Sequence, residues 1–337
     1  MPSGVMVRGI QGLGTLKALE LACVHRIAVE VWWGIVERFS PLAYDWSLYE
    51  ELFKLISDSE KWCVTLPIWI IEVYQNGFSN NDYLTLGVDH VSLFCGWTAI
   101  QCYEDFMSSF AKKFEFLIGT VIEEIRVGLG PSGELKWKFP GICEFQCYDK
   151  YTLGDLTMAA RKEGKPQWEE KGPQKAGCYN SLPSEEWCSA RLLHHADDIL
   201  AKAANILKKY QENKQTSIIL AAKIGGICWW YQATAHPAEL TAGYYNTAVG
   251  DGHDPVASLL SSWSCFACSV SYLEMMDGDN PASCLCSPEG FTPNRTSPCS
   301  CAWHGRSCRV SGFNMGLERV NMSFFSITDI GYYRSVF

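Results

Sequence analysis

Apolar, β-branched runs alternate with long amphipathic runs along this chain, and that alternation restricts the possible fold more than any other feature. IAVEVWW (27–33), VIEEIRV (121–127), SIILAAKIGGI (217–227) and ACSVSYLEM (267–275) read as strands. TLKALELACVHR (15–26), SLYEELFKLISDSEKW (47–62), TAIQCYEDFMSSFAKKFEFLI (98–118), CSARLLHHADDILAKAANILKKYQEN (188–213) and DPVASLLSSWSC (254–265) have helical spacing. Ser47 is the expected N-cap of the second helix, with Glu50 and Glu51 in its first turn. Strand, glycine or aromatic loop, then helix, recurring about four times, predicts a parallel sheet with helices outside. A closed barrel is favoured over an open sheet, because no G-x-G-x-x-G opens a helix after an early strand. GIQGLG (9–14) is rich in glycine but has no clear strand before it. From about residue 276 the pattern breaks into a turn-rich stretch with little periodicity.

At 337 residues the chain is long enough for one large α/β barrel or two average domains. Its net charge of −9 argues against a phosphate-tracking face, so nucleic acid is not an expected partner. Lys112–Lys113 and Lys208–Lys209 read as solvated helix faces. No apolar run reaches the roughly 18–20 residues of a membrane span, so no membrane partner is expected either. The segment MPSGVMVRGIQGLG shows neither a secretory apolar region nor a transit peptide. The 16 cysteines lack the spacing of a small disulfide scaffold, and Cys23, Cys63, Cys102 and Cys228 lie in apolar segments. A reducing compartment fits that usage. The group from Cys265 to Cys308, with His304, is loosely zinc-like but lacks paired C-x-x-C knuckles, and no metal or cofactor is expected.

GLGPSGEL (128–135) places three glycines, a proline and a serine just ahead of one carboxylate, Glu134, past the end of a predicted strand. In parallel barrels the chemistry sits at that end of the strands. Glu30, Glu37, Glu144 and Glu274 also lie within or just beyond strands, and Trp32–Trp33 and Trp229–Trp230 flank similar ends. Two carboxyl groups across a bond, an acid and a base, are what glycoside hydrolysis requires, and indoles stack on sugar faces. The plainer alternative is that the acids cap helices or pair with Arg and Lys, and that the indoles fill the core. No G-x-S-x-G elbow occurs. His194–His195 beside Asp197–Asp198 resemble H-x-x-D metal spacing, but a polar helix face is the preferred reading. Lys223, at a strand end, could form a Schiff base or hydrogen-bond a sugar hydroxyl.

VEVWWGIVERFSPLAYDWSLYEELF (29–53), NDYLTLGVD (81–89), GLGPSGEL, FPGICEFQCYDKY (139–151) and HPAELTAGYYN (236–246) resemble the plant β-amylases of glycoside hydrolase family 14. The resemblance runs from about residue 12 to about 315, with 276–337 divergent. RFSPL, GFSNNDYLTLGVD and AKIGGI…WWY are most similar to the plastid, catalytically degenerate subgroup. The resemblance implies one (β/α)₈ TIM barrel over 1–337 and inverting hydrolysis of α-1,4-glucan that releases maltose from non-reducing ends. It implies Glu134 as general acid, with Glu30, Lys223, Cys228, Trp229, Ser271 and Asn314 contacting the sugar. Cys228 stands where the family commonly has His, Glu30 where it has Asp, and Ser271 where it has Thr.

The family carries its general base in V-x-G-E-N, and the matching residues here are VSGFN (310–314), which puts Phe313 at the base position. Phenylalanine cannot deprotonate water. The family's glycine-rich lid and the loop after GEL are missing. SEKWC runs straight into VTLPIW, so the third strand is expected to be absent, and the barrel incomplete at both ends. The expected protein is a glucan-binding or regulatory relative in starch breakdown with lost or much reduced hydrolysis. An active β-amylase using another base, or a truncated remnant, are the alternatives. The subgroup implies a plastid location, otherwise the cytoplasm.

Overall fold

The computed structural model describes residues 26–31, 33–37, 39–40, 42–56, 61–66, 85–92, 96–130, 133–137, 145, 148–166, 169, 187–211, 218–224, 240, 242–244, 252, 254–263 and 267–270. Their strands are β1 (Arg26–Glu30), β2 (Lys61–Leu66), β3 (Ile122–Val127), β4 (Glu134–Leu135), β5 (Ile219–Ile224) and β6 (Ala267–Val270). Their helices are α1 (Trp33–Val36), α2 (Ser47–Ile56), α3 (Ala99–Lys113), α4 (Lys150–Lys162), α5 (Trp187–Gln211) and α6 (Asp254–Ser262).

All six strands join one sheet, and every pairing is parallel. β1, β2, β3 and β5 lie side by side in chain order, as strands linked by crossover helices do. Glu124–Val127 of β3 pair with Ile219–Ala222, and the two residues of β4 pair with the next two of β5, Lys223 and Ile224. β3 and β4 are thus one flank of β5, interrupted by the loop 128–133. β6 pairs with Ala221–Ile224 on the other flank.

The place between β1 and β3, expected to lack a strand, is filled by Lys61–Leu66. The second helix correspondingly ends at Ile56, and Lys61 and Trp62 belong to the sheet rather than to that helix. A periodicity of 3.6 extended through the polar SDSEK segment overran the end of the apolar stripe. Ser47 is not the cap either. It is the first helical residue, and the Asp45 carboxylate accepts hydrogen bonds from its N–H and its hydroxyl. The 15–26 helix lies almost wholly outside the described residues, and Arg26 opens β1.

Helix α3 starts at Thr98, whose side chain accepts from the Gln101 N–H while the Gln101 amide oxygen accepts from the Thr98 N–H. That reciprocal cap stabilises the end by about 1 kcal/mol. The buried face of α3 presents Tyr103, Phe106, Met107, Phe110 and Ala111. Met107, Phe110 and Ala111 meet Ala203, Ile206 and Leu207 of α5 over Ile125 and Val127 of β3. This contact fixes which face of β3 looks outward, so Glu124 and Arg126 point to the opposite, inner face.

Trp33 stacks on Phe106 with ring centroids 5.2 Å apart and meets Tyr103 edge-on. Trp46 packs against Phe106, Phe110 and Phe114, and its indole N–H donates to Ser109. Trp46 and the buried Trp137 are core members, and the partly buried Trp33 packs against that core. Trp33, read from sequence as a wall of a saccharide cleft, is spent on packing the first βα unit against α3. Cys102, on the same helix, has its thiol pushed up to about 11, chiefly by burial and then by Glu37 and Asp105. It is half-buried rather than the fully buried small hydrophobe expected of an apolar segment.

The NDYLTLGVD segment organises the helices around it. Thr85 caps a short 3₁₀ turn (Leu86–Val88), and its hydroxyl donates to Asp149 at 2.6 Å. Asp149 in turn caps α4, accepting from the N–H groups of Tyr151 and Thr152. A Cβ on Gly87 would stand 2.5 Å from the Thr152 nitrogen, so only glycine lets the turn approach α4. Asp89 then reaches α5, where it accepts from Arg191 at 3.1 Å and meets His195 Nδ1 at 2.9 Å. His195 is 0% exposed, which corrects its reading as part of a polar helix face.

Candidate functional site

The C-terminal ends of β1, β2, β3, β5 and β6 share one edge of the sheet, because all the pairings are parallel. Glu134 lies at that edge. Val127 ends β3, and the chain then makes a detour through 128–133 before β4 resumes against β5. Gly133, with φ of 73°, turns the chain back, and its N–H donates to the Gly130 carbonyl at 2.9 Å. A Cβ on Gly130 would sit 2.6 Å from the Glu134 carbonyl oxygen and 2.9 Å from that of Lys136. Gly130 and Gly133 therefore let the chain pack closely against the short strand that carries the carboxylate.

A second motif holds that strand from behind. The Tyr244 hydroxyl donates to the Leu135 carbonyl, and the Trp137 N–H donates to the Ala242 carbonyl at 2.9 Å. Gly243 turns this buttress at φ of 103°, where a Cβ would run into the Leu192 side chain and stand 3.1 Å from Trp137. GLGPSGEL and ELTAGYYN, more than one hundred residues apart, are thus two sides of one support.

Glu134 and Lys223 are register partners in the β4–β5 pair. Lys223 Nζ stands 3.4 Å from Glu134 Oε1, and Lys136 Nζ stands 2.5 Å from Oε2. Glu134 and Lys223 are both buried. Arg126 and Glu124 form a second buried ion pair at 3.2 Å on the same inner face. The inner face of the sheet thus holds two carboxylates and three cations, with Glu124 and Arg126 lower on β3 and Glu134, Lys136 and Lys223 at the C-terminal end. An ion pair taken out of water this way is retained at a desolvation cost, which is unusual unless the groups serve a site.

Of the residues expected at the site, Glu134 and Lys223 are brought together. Glu30 is the last residue of β1, in register with Thr65 of β2, three strands away from β5, or about 14 Å along the sheet. Cys228, Trp229, Ser271, Phe313 and Asn314 lie outside the described residues, as do Glu144, Glu274 and the cysteines of 284–308. Glu37 is not at the site: its carboxylate accepts from the Trp33 indole and the Leu42 N–H, anchoring the loop after α1. Lys136 and the Glu124–Arg126 pair went unnoticed in the sequence. The signal was there, since residues two apart on a strand share a face, and Lys136 follows Glu134 by two.

The family profile of glycosyl hydrolase family 14 matches residues 3–186 and 184–329. "Inactive beta-amylase 4, chloroplastic" of Arabidopsis thaliana is 52% identical over 335 aligned positions, covering 82% of this chain and 63% of the relative. "Beta-amylase 5" of the same plant is 40% identical over 332 positions, covering 81% of this chain and 65% of the relative. The chain therefore spans somewhat less than two thirds of these relatives' length. Among solved structures, the catalytic domain of the β-amylase from Paenibacillus polymyxa superposes with a TM-score of 0.69 at 19% identity, over 90% of this chain and 82% of that domain. The parallel sheet with outer helices is thus that of a β-amylase (β/α)₈ barrel, and the chain belongs to glycosyl hydrolase family 14.

Proposed function

We propose that this chain is a β-amylase-type protein of starch breakdown that binds α-1,4-glucan ends but hydrolyses them weakly or not at all, as a single plastid barrel domain. The observation that carries the reading is Glu134, a buried carboxylate at the C-terminal edge of the sheet, facing Lys223. In this reading Glu134 stands in the general-acid position and Lys223 contacts a sugar hydroxyl. Glu30, Cys228, Trp229, Ser271 and Asn314 complete the sugar contacts.

Inverting hydrolysis needs an acid on one side of the glycosidic bond and a base about 6.5–9.5 Å away, holding the attacking water. The acid protonates the leaving oxygen while the base removes the water's proton. With Phe313 at the base position, no group there takes that proton. What the inner edge retains is a set of fixed donors and acceptors suited to sugar hydroxyls. The name of the 52% identical relative, an inactive chloroplastic β-amylase, supports both the loss and the location. The continuous apolar core around α3, α5 and the sheet supports a folded protein over a remnant.

Titration of the purified chain with maltotriose, followed by tryptophan fluorescence, tests the binding half. Saturable binding is expected, and Lys223→Met is expected to weaken it about tenfold or more, the worth of a charge-assisted hydrogen bond. A natively folded chain that shows no saturable response would refute the glucan-binding role.

A further inference from the structure

We infer that His90, His194 and Asp198 form a surface site for a zinc-type divalent cation, which would tie the loop after the 3₁₀ turn to helix α5. His194 and Asp198 lie four residues apart on one face of α5, and His90 enters from the loop. His90 Nε2 is 2.9 Å from Asp198 Oδ2, and His194 Nε2 is 4.0 Å from the same oxygen. One ligand atom from each of the three falls within 4.8 Å of the others. Tetrahedral zinc with bonds of about 2.0–2.2 Å places neighbouring ligand atoms roughly 3.4 Å apart. The observed separations bracket that value, so small side-chain rotations suffice.

The backbone beneath the site is already fixed. His90 follows Asp89 and His194 precedes His195, and the buried Asp89–His195 contact of 2.9 Å joins those two neighbours directly. The exposed trio is therefore held over a locked pair. Nearby groups are otherwise engaged: Asp197 accepts from the Trp263 indole, Arg191 is bound to Asp89 and Asp155, and Lys202 pairs with Glu104. Two imidazole nitrogens and one carboxylate oxygen select zinc-type ions over the oxygen-seeking calcium and magnesium. Both rings are exposed, so water completes the coordination and the ion acts as a clip. The site is unrelated to the glucan edge and does not depend on the reading of that edge.

Cobalt(II) titration of the reduced full-length chain tests this, because thiolate ligands give an intense sulfur-to-metal band that imidazole and carboxylate do not. One equivalent is expected to bind with weak d–d absorption alone, zinc is expected to displace it, and His194→Ala and Asp198→Asn are each expected to lower affinity at least tenfold. Three results would overturn the inference: no binding, affinity unchanged in both variants, or an intense thiolate band that persists in them and assigns the metal to the cysteines. All three ligands are partly or fully exposed, so the variants should keep the native circular dichroism and melting transition. A variant that loses metal while keeping both carries the assignment.

Discussion

Phe313→Glu is expected to raise maltose release from soluble starch by roughly 10²-fold or more over the native chain, within the 10²–10⁴ range typical of general-base assistance. The substitution restores the carboxylate of the V-x-G-E-N pattern, with Asn314 still beside it. In the proposed reading it also removes apolar bulk from the place of the attacking water. The gain should stay below a full restoration, since Glu30 and Cys228 stand where the family commonly has Asp and His. Adding Glu134→Gln to Phe313→Glu should return release to background, because both carboxyl groups act in one step. If Phe313→Glu leaves release at background while glucan binding is intact, a single missing base does not explain the lost chemistry.

Asp89→Ala is expected to destabilise the fold by about 3–5 kcal/mol, the usual cost of stripping one partner from a buried ion pair. Asp89 is 1% exposed and accepts from Arg191 while contacting His195, which is fully buried. The alanine would leave a buried guanidinium and imidazole without the carboxylate they share. The Arg191 bond to the Leu86 carbonyl and its 3.4 Å approach to Asp155 would remain but cannot replace the lost charge. Asp89→Asn keeps an acceptor oxygen and should cost distinctly less. Urea unfolding reads the difference as a fall in midpoint at constant slope. A loss below about 1 kcal/mol for Asp89→Ala would show that the hub is not a major source of stability.

The same hub shows where sequence reading reached and where it stopped. The strands at 122–127 and 219–224 and the helices at 99–113 and 187–211 were legible because their apolar periods are long and end in glycine or capping residues. Lys61–Leu66 was not, because the helical period was carried through the short polar segment SDSE, and only pairing with strands on both sides identifies it. Helix α4 was missed for a similar reason. It has a weak apolar stripe and is defined by its Asp149 cap and its contact with the 3₁₀ turn. Glu134 and Lys223 could be named from motif likeness, but their register across β4 and β5, 89 residues apart by their numbering, is a property of the assembled sheet. His195 read as surface because helical periodicity beside Asp197 and Asp198 is polar, while its partner, Asp89, is more than one hundred residues distant.

The central claim is that the site retains its carboxylate and its lysine but not its turnover. Maltose release from soluble starch by the purified native chain, measured beside Glu134→Gln, tests it most directly. The two proteins are predicted to be indistinguishable, both at background. Release by the native chain that Glu134→Gln abolishes would contradict the account and would mean that another group serves as the base.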